Sequence, residues 1–412
     1  MDSQTVAAVN RLRRLQEQNL SNIPAMIAQR ALGTFTLQED APSEESLGEV
    51  RVLVYPQDPF IGEPEVRIMQ KRDIRPGLVN SRVRIRDSRA NPAQPDEDGN
   101  YLYWPDTPEF DQVNCFYYTT FTLRMYERYA QRELPWSFPL PRIDVDPHIG
   151  NGANAFYSEQ DRLIGFYSFE ANGQSFNAAQ SADVISHETA HAVLDGLRDL
   201  HNESFGLGPS AFHESFGDMT SVLVALHDDS LITRVLNVTQ GDLRIDNFIA
   251  AIAEYLQQSA QQVQEHVEEH TVYLRNALNT LKHMPFDALP YIPPNPETEL
   301  GRESHNYSRL FTGAFYDILA GVYDHLRKKA QPRIAIHRAR DIVGHMVVCA
   351  IELGPVGEFD FSDMAKAFLA ADYVLYKGQY ADILSQVFDG RGILAKADAE
   401  KFLSSLKQLP DL

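Results

Sequence analysis

The segment DVISHETAHAVLDGL holds His187 and His191 four residues apart, with Glu188 beside the first of them. In an α-helix, residues at this interval project from one face about a turn apart, so both imidazoles can reach a single ion. Zn²⁺ suits imidazole, is redox-inert, and keeps an open coordination position when only three protein groups bind it. Glu188 can then face water at that position and take its proton as general base. The chemistry implied is metal-assisted hydrolysis.

Spacing alone does not make a metal site. The segment EHVEEH places His266 and His270 at the same interval and, with Glu269, spells the inverted order H-x-x-E-H. Its surroundings, QQSAQQVQEHVEEHTVY, are polar almost all round, as on a solvated helix face. The residues around His187 and His191 are apolar, and buried imidazoles need partners.

A third ligand is sought downstream. PSAFHESFGDMTSVLVAL reads as a second helix beginning near Pro209, with Glu214 and Asp218 four apart on one face. Carboxylates flanked by Phe212, Phe216, Met219 and Val222 are costly to bury unless satisfied. Glu214 on the metal, with Asp218 accepting the outer N–H of a ligating histidine, satisfies both. His213, adjacent to Glu214, points elsewhere on that helix and reads as a packing residue.

The elements that must position these groups change character along the chain. EVRVLVYPQ, SRVRIRD, RIDVDP and RLIGFYSF read as strands, with a Gly/Asn-rich turn at HIGNGANAF. FDQVNCFYYTTFTLRMYERYAQ has the length of a helix and apolar residues on more than one face, which predicts burial. From about Ser181 onward nearly every long segment has helical periodicity. QEDAPSEESLGE, RDSRANPAQPDEDGN and YIPPNPETELGRE read as loops. Strands first and helices later predict an α+β fold: a mixed lobe followed by a mostly helical one.

Composition narrows the function classes. The 412 residues, 43% hydrophobic and 23% charged, are those of an ordinary globular chain long enough for more than one lobe. A formal net charge of −20 argues against nucleic acid as a partner. Cys115 and Cys349 alone can build neither a disulfide framework nor a cysteine zinc site. The first twenty residues lack the apolar core of a signal peptide, and Val6, Val9, Leu12 and Leu15 instead predict a short amphipathic helix. No apolar run is long enough to span a membrane. The expectation is a cytoplasmic protein as encoded, or one exported without a cleavable signal.

With these motifs in this order, the chain resembles the thermolysin family of zinc metallopeptidases, the gluzincins, from about Phe110 to about Ile393. ADVISHETAHAV is similar to the family's zinc helix, and FHESFGDM to its Asn-Glu-Ala-x-x-Asp helix, with His213 in place of the asparagine and Glu214 and Asp218 kept. NAFY resembles the family's edge strand, where an asparagine side chain and the following backbone hold substrate. The resemblance therefore implies that Asn154, Ala155 and Tyr157 bind substrate. ESHNYSRLFTGAFYDIL is similar to the segment carrying the catalytic histidine, which implies His305 as donor to the oxyanion. YLRNALN implies Arg275 as the arginine on a substrate carbonyl, and Val184 and Leu274 are expected to line an apolar pocket for the residue after the cleaved bond.

The chain also departs from the family. Leu200 stands where a tyrosine usually assists the histidine, two residues before Asn202, Glu203 and Ser204, and His201 is the nearest substitute. Ala225 falls where the paired-calcium site has a glutamate; Asp183 alone survives, which gives little ground for Ca²⁺ and leaves Asp183 beside Asp218 as a residue behind the ligands. The acidic partner of His305 is out of register, with Glu303 or Glu299 able to serve.

The resemblance implies a two-lobed α+β fold with a cleft between the lobes. It divides into residues 1–105 as an N-terminal extension, 106–200 as an α/β lobe ending in the zinc helix, and 201–412 as the helical lobe. One catalytic Zn²⁺ and an extended peptide substrate cut at internal bonds are implied; oligomeric state is left open. Two rivals stand beside this: a non-catalytic zinc-binding or interaction protein on the same fold, and a hydrolase of narrow specificity for small peptides or other amides.

Overall fold

The computed structural model describes residues 48–171, 174–198, 206–252, 275–296, 298–355 and 357–407. The expected helix at residues 6–15, the His266/His270 pair, Leu200 to Ser204 and Leu274 lie outside the described residues.

Alternation of apolar and polar residues builds the first strands. β1 (Glu49–Val54) pairs antiparallel with β2 (Glu65–Gln70), and Val50, Val52 and Val54 face the core. β3 (Val83–Ile85), β4 (Ile143–Asn151), β5 (Ala155–Ser158), β6 (Leu163–Ala171) and β7 (Gln174–Asn177) form one mixed sheet. β4 runs parallel to both β3 and β6, while β5 and β7 pair antiparallel with β6. The sheet order ends on β5, which has no further strand beside it among the described residues.

The expected turn at HIGNGANAF is shorter than its Gly and Asn content suggested, because β4 continues through His148 to Asn151. Two features carry the strand through. A Cβ at Gly150 would fall 2.8 Å from the Tyr167 ring on β6, so glycine permits the approach of the two strands. The His148 ring is clamped, with Nδ1 2.8 Å from Asp87 Oδ2 and Nε2 3.1 Å from Asp111 Oδ2.

That clamp makes stability depend on pH. Burial lowers the His148 pKa, but hydrogen bonds to Asp111 and Asp87 outweigh it and raise the value to about 9. A folded pKa above the unfolded value of about 6.5 adds stability that is complete below pH 6.5 and lost as pH climbs through 9. The stability gap between wild type and His148→Asn, measured by denaturant unfolding, should therefore narrow by about 2–3 kcal/mol between pH 6 and pH 10.

The helices follow. α1 (Pro108–Ala130) is capped by Thr107, whose side chain accepts from Phe110 N, and has Pro108 at its first position. It is buried along most of its length, as its apolar residues on several faces predict. α2 (Ala182–Leu197) starts at Ser181, whose side chain accepts from Val184 N. It is followed by α3 (Leu207–Ala225) and α4 (Asp229–Val238). A two-residue ribbon of β8 (Ala251–Ile252) and β9 (Arg275–Asn276) precedes α5 (Ser304–Arg327), α6 (Pro332–Leu353), α7 (Phe361–Tyr376), α8 (Ala381–Gly390) and α9 (Lys396–Leu406).

The result is an α+β fold with the sheet, α1 and α2 on one side and the later helices on the other. α2 packs on α3, and α3 on α5. Ile185, Val193 and Leu194 of α2 are fully buried, each worth about 1.5–3 kcal/mol over exposure. Ser215 of α3 donates to Ser308 O on α5 at 2.9 Å, which fixes the rotation of one helix against the other. No helix among the described residues is long and apolar enough to cross a membrane.

Candidate active site

α2 supplies His187, Glu188 and His191, and α3 supplies Glu214 and Asp218. The two helices come together at Gly217, where an added Cβ would overlap the His187 ring. Their approach brings one carboxylate to both imidazoles: Glu214 Oε2 lies 3.3 Å from His187 Nε2, and Oε1 lies 3.8 Å from His191 Nε2. Ligand atoms of His187, Glu188 and His191 all lie within 4.8 Å of one another. The group could hold a metal ion, and its N/O donor set suits a divalent cation of intermediate softness. Gly217→Ala should displace the His187 ring, weakening metal binding at least about tenfold and costing about 1–3 kcal/mol of stability. Metal titration and thermal unfolding of the variant check both parts.

Each imidazole is held from behind. His187 Nδ1 lies 3.3 Å from Asp218 Oδ1, and Asp218 Oδ2 accepts from Thr312 Oγ1 at 3.0 Å. His191 Nδ1 lies 2.7 Å from His213 Nδ1, and His213 Nε2 lies 3.0 Å from Asp195 Oδ1. His213 is therefore not the packing residue expected. The neighbour of Glu214 turns its ring toward α2 because α3 lies directly across from it, a relation that helix periodicity alone does not carry.

The electrostatics favour a cation at this place. Burial pushes His191 well below its ordinary pKa, which keeps the ring neutral and its lone pair free for a metal. Burial pushes Glu214 up, but the neighbouring imidazoles of His187, His191 and His305 outweigh it and hold the carboxyl well below the usual range. Burial and Arg275 lower His187, yet the Asp218 and Glu214 carboxylates on either side of the ring prevail and bring it up to about 9. Positive charge is thus stabilised between two carboxylates, and a divalent ion on Nε2 would supply it. Burial raises Glu188, the direction that suits a proton acceptor working near neutral pH.

Two further groups converge from the helical side. Arg275, at the start of β9, places Nη1 3.0 Å from Glu214 Oε2 and Nε 3.5 Å from Asp218 Oδ1. His305, in the first turn of α5, has Nε2 3.4 Å from Glu214 Oε2. Its Nδ1 lies 2.5 Å from Glu303 Oε1, while Glu299 turns its carboxylate to Asn295 N. Of the two acidic partners weighed, Glu303 is the one in contact. It is also the helix cap, accepting from His305 N and Asn306 N, so one carboxylate fixes both backbone and ring. Burial pushes Glu303 up, but the His305 ring prevails and takes its pKa down to about 2.

A cavity of about 330 Å³ collects the candidates: Asn154, Ala155 and Tyr157 on one wall, His187, Glu188, His191 and Glu214 on the floor, and Arg275 and His305 opposite. Phe156, Val184 and Ile252 add apolar surface. Asp218 sits behind this lining and Asp183 outside it, with the Asp183 carboxylate accepting from Gln57 Nε2 at 3.1 Å. Asn154 and Ala155 stand at the entry to β5, which has no further strand beside it among the described residues, so this edge of the sheet borders the floor of the cavity. A larger cavity, about 650 Å³, lies beside α5 and α8, but its arginines Arg244 and Arg391 are bound to Asp324 and Asp317. It brings together none of the motif residues.

No protein-family model matches the chain, and no curated protein matches it. Among solved structures it is similar to the precursor of protealysin, a metalloproteinase from Serratia proteamaculans, with 13% identity and a TM-score of 0.47 over 76% of this chain and 87% of that one. So distant a likeness carries no part of the functional argument, which rests on the residues themselves.

Proposed function

We propose that this chain is a zinc metalloendopeptidase. The observation that carries the proposal is the convergence of His187, Glu188, His191, Glu214 and His305 in one cavity beside β5, the strand at the edge of the sheet among the described residues. His187, His191 and Glu214 would hold Zn²⁺, with Asp218 behind the first. A bound Zn²⁺ supplies a Lewis acid for the substrate carbonyl and lowers the pKa of a coordinated water.

The remaining work falls to the chain. Glu188 accepts a proton from the attacking water and passes it to the leaving amine as the C–N bond breaks. His305, oriented through Nδ1 by Glu303, presents Nε2–H to the oxyanion, where a donor fixed beforehand is most effective. Burial lowers the His305 pKa, but Glu303 and Glu214 prevail and raise it, which favours the doubly protonated ring this role needs. Arg275 holds Glu214 and Asp218 and keeps further N–H groups for a substrate carbonyl. An extended peptide would add to β5 as a strand, held by Asn154 and the Ala155 backbone, with Tyr157 and Val184 beside it. Strand addition leaves both peptide ends free, which is the basis for cleavage at internal bonds. In this reading residues 106–200 and 201–412 are the two walls of the cleft. A zinc-binding protein without catalysis would have no use for Glu188 and His305 aimed into the same cavity.

Cleavage of casein or a quenched peptide library should vanish on chelation and return with added zinc. Activity that survives complete metal removal would contradict the proposal.

A further inference from the structure

We infer that His213 and Asp195 act together as a positioning pair for the ligand His191. The inference rests on the metal reading above and concerns residues that reading does not use. His191 directs Nε2 toward Glu214 and the other ligand atoms, 3.8 Å from Glu214 Oε1, and a metal ligand needs the lone pair of that nitrogen. Its proton then sits on Nδ1, which lies 2.7 Å from His213 Nδ1. Two ring nitrogens that close share one proton, so His213 accepts there and carries its own proton on Nε2. That N–H points at Asp195 Oδ1, 3.0 Å away. With a metal on Nε2 of His191, the two contacts form an unbroken chain of donors and acceptors from the ligand ring through His213 to Asp195.

The cost of the arrangement argues for a purpose. His213 and Asp195 are 2% and 4% exposed, and apolar residues of similar volume at such depth are often as stable as a buried pair of this kind or more so, which makes the pair weakly explained by stability alone. Partners of this kind around metal-bound histidines are worth about 10–100-fold in metal affinity.

The test is zinc affinity by competition with a chromophoric chelator, with Co²⁺ absorption as a second readout of ligand geometry, on the full chain and with folding checked by circular dichroism. His213→Leu should bind zinc at least about tenfold more weakly and shift the Co²⁺ bands. His213→Asn offers an amide oxygen to His191 Nδ1–H and should recover affinity to within about threefold of wild type. If the leucine variant does not fold, Asp195→Ala carries the test: it should weaken binding in the wild type and have little further effect with His213→Asn in place. Wild-type affinity in both His213→Leu and Asp195→Ala would overturn the inference, as would equal losses in the leucine and asparagine variants. A wild-type protein that binds no zinc would instead remove the metal reading itself.

Discussion

The Glu188→Gln variant is expected to bind zinc as tightly as the wild type while cleaving peptide about 10²–10⁴ times more slowly. Glutamine fills the same space and can hydrogen-bond water, but it cannot take the proton. The prediction separates two roles that the geometry brings close together. Glu188 shares the 4.8 Å cluster with both histidines, and Glu214 spans their Nε2 atoms. If Glu188 were the third ligand, its replacement would lose metal along with activity. If Glu214 is the ligand, Glu214→Ala is the variant that loses metal. Zinc content and kcat, measured on the same preparation of each variant, decide between them.

The second large effect belongs to His305. His305→Ala should lower kcat by about 10²–10³ with little change in KM, because an oxyanion donor acts on the transition state more than on the bound peptide. Zinc affinity should stay near wild type, since the ring lies 3.4 Å from Glu214 without standing behind either histidine. Glu303→Gln should have a smaller effect in the same direction. It leaves the ring in place but replaces the charged partner at Nδ1, and it weakens the cap of α5. A rise in KM at unchanged kcat would assign His305 to ground-state binding instead.

Much of this candidate site was legible in the residues because the proposed ligands obey local geometry. His187 and His191 on one helix, and Glu214 and Asp218 on the next, follow the four-residue spacing of a single face, and burial followed from their apolar neighbours. The α+β character was legible for the same reason, as alternation gave way to helical periodicity near Ser181.

What escaped depends on how distant elements meet. The run HIGN looked like a turn by composition, and only the clamp on His148 and the contact of Gly150 with Tyr167 make it a strand. β2 and β7 were not foreseen: Val66 and Ile68, which carry the alternation of β2, face solvent rather than the core, and β7 is four residues long. His213 was misread because its partner lies across a helix interface, although Asp195, four residues past His191 on the same face of α2, was the available signal. Glu303 prevailed over Glu299 through capping, since the residue just before α5 must turn its carboxylate to the exposed N–H groups and so meets the ring of His305.

The most direct test of the central claim is a crystal structure of the zinc-loaded protein recorded at the zinc absorption edge. One anomalous peak is expected about 2.0–2.2 Å from His187 Nε2, His191 Nε2 and a Glu214 oxygen, with the Glu188 carboxylate outside bonding distance and facing the open side of the ion. A peak bound to Glu188 in place of Glu214, or no peak between the two histidines, would contradict it.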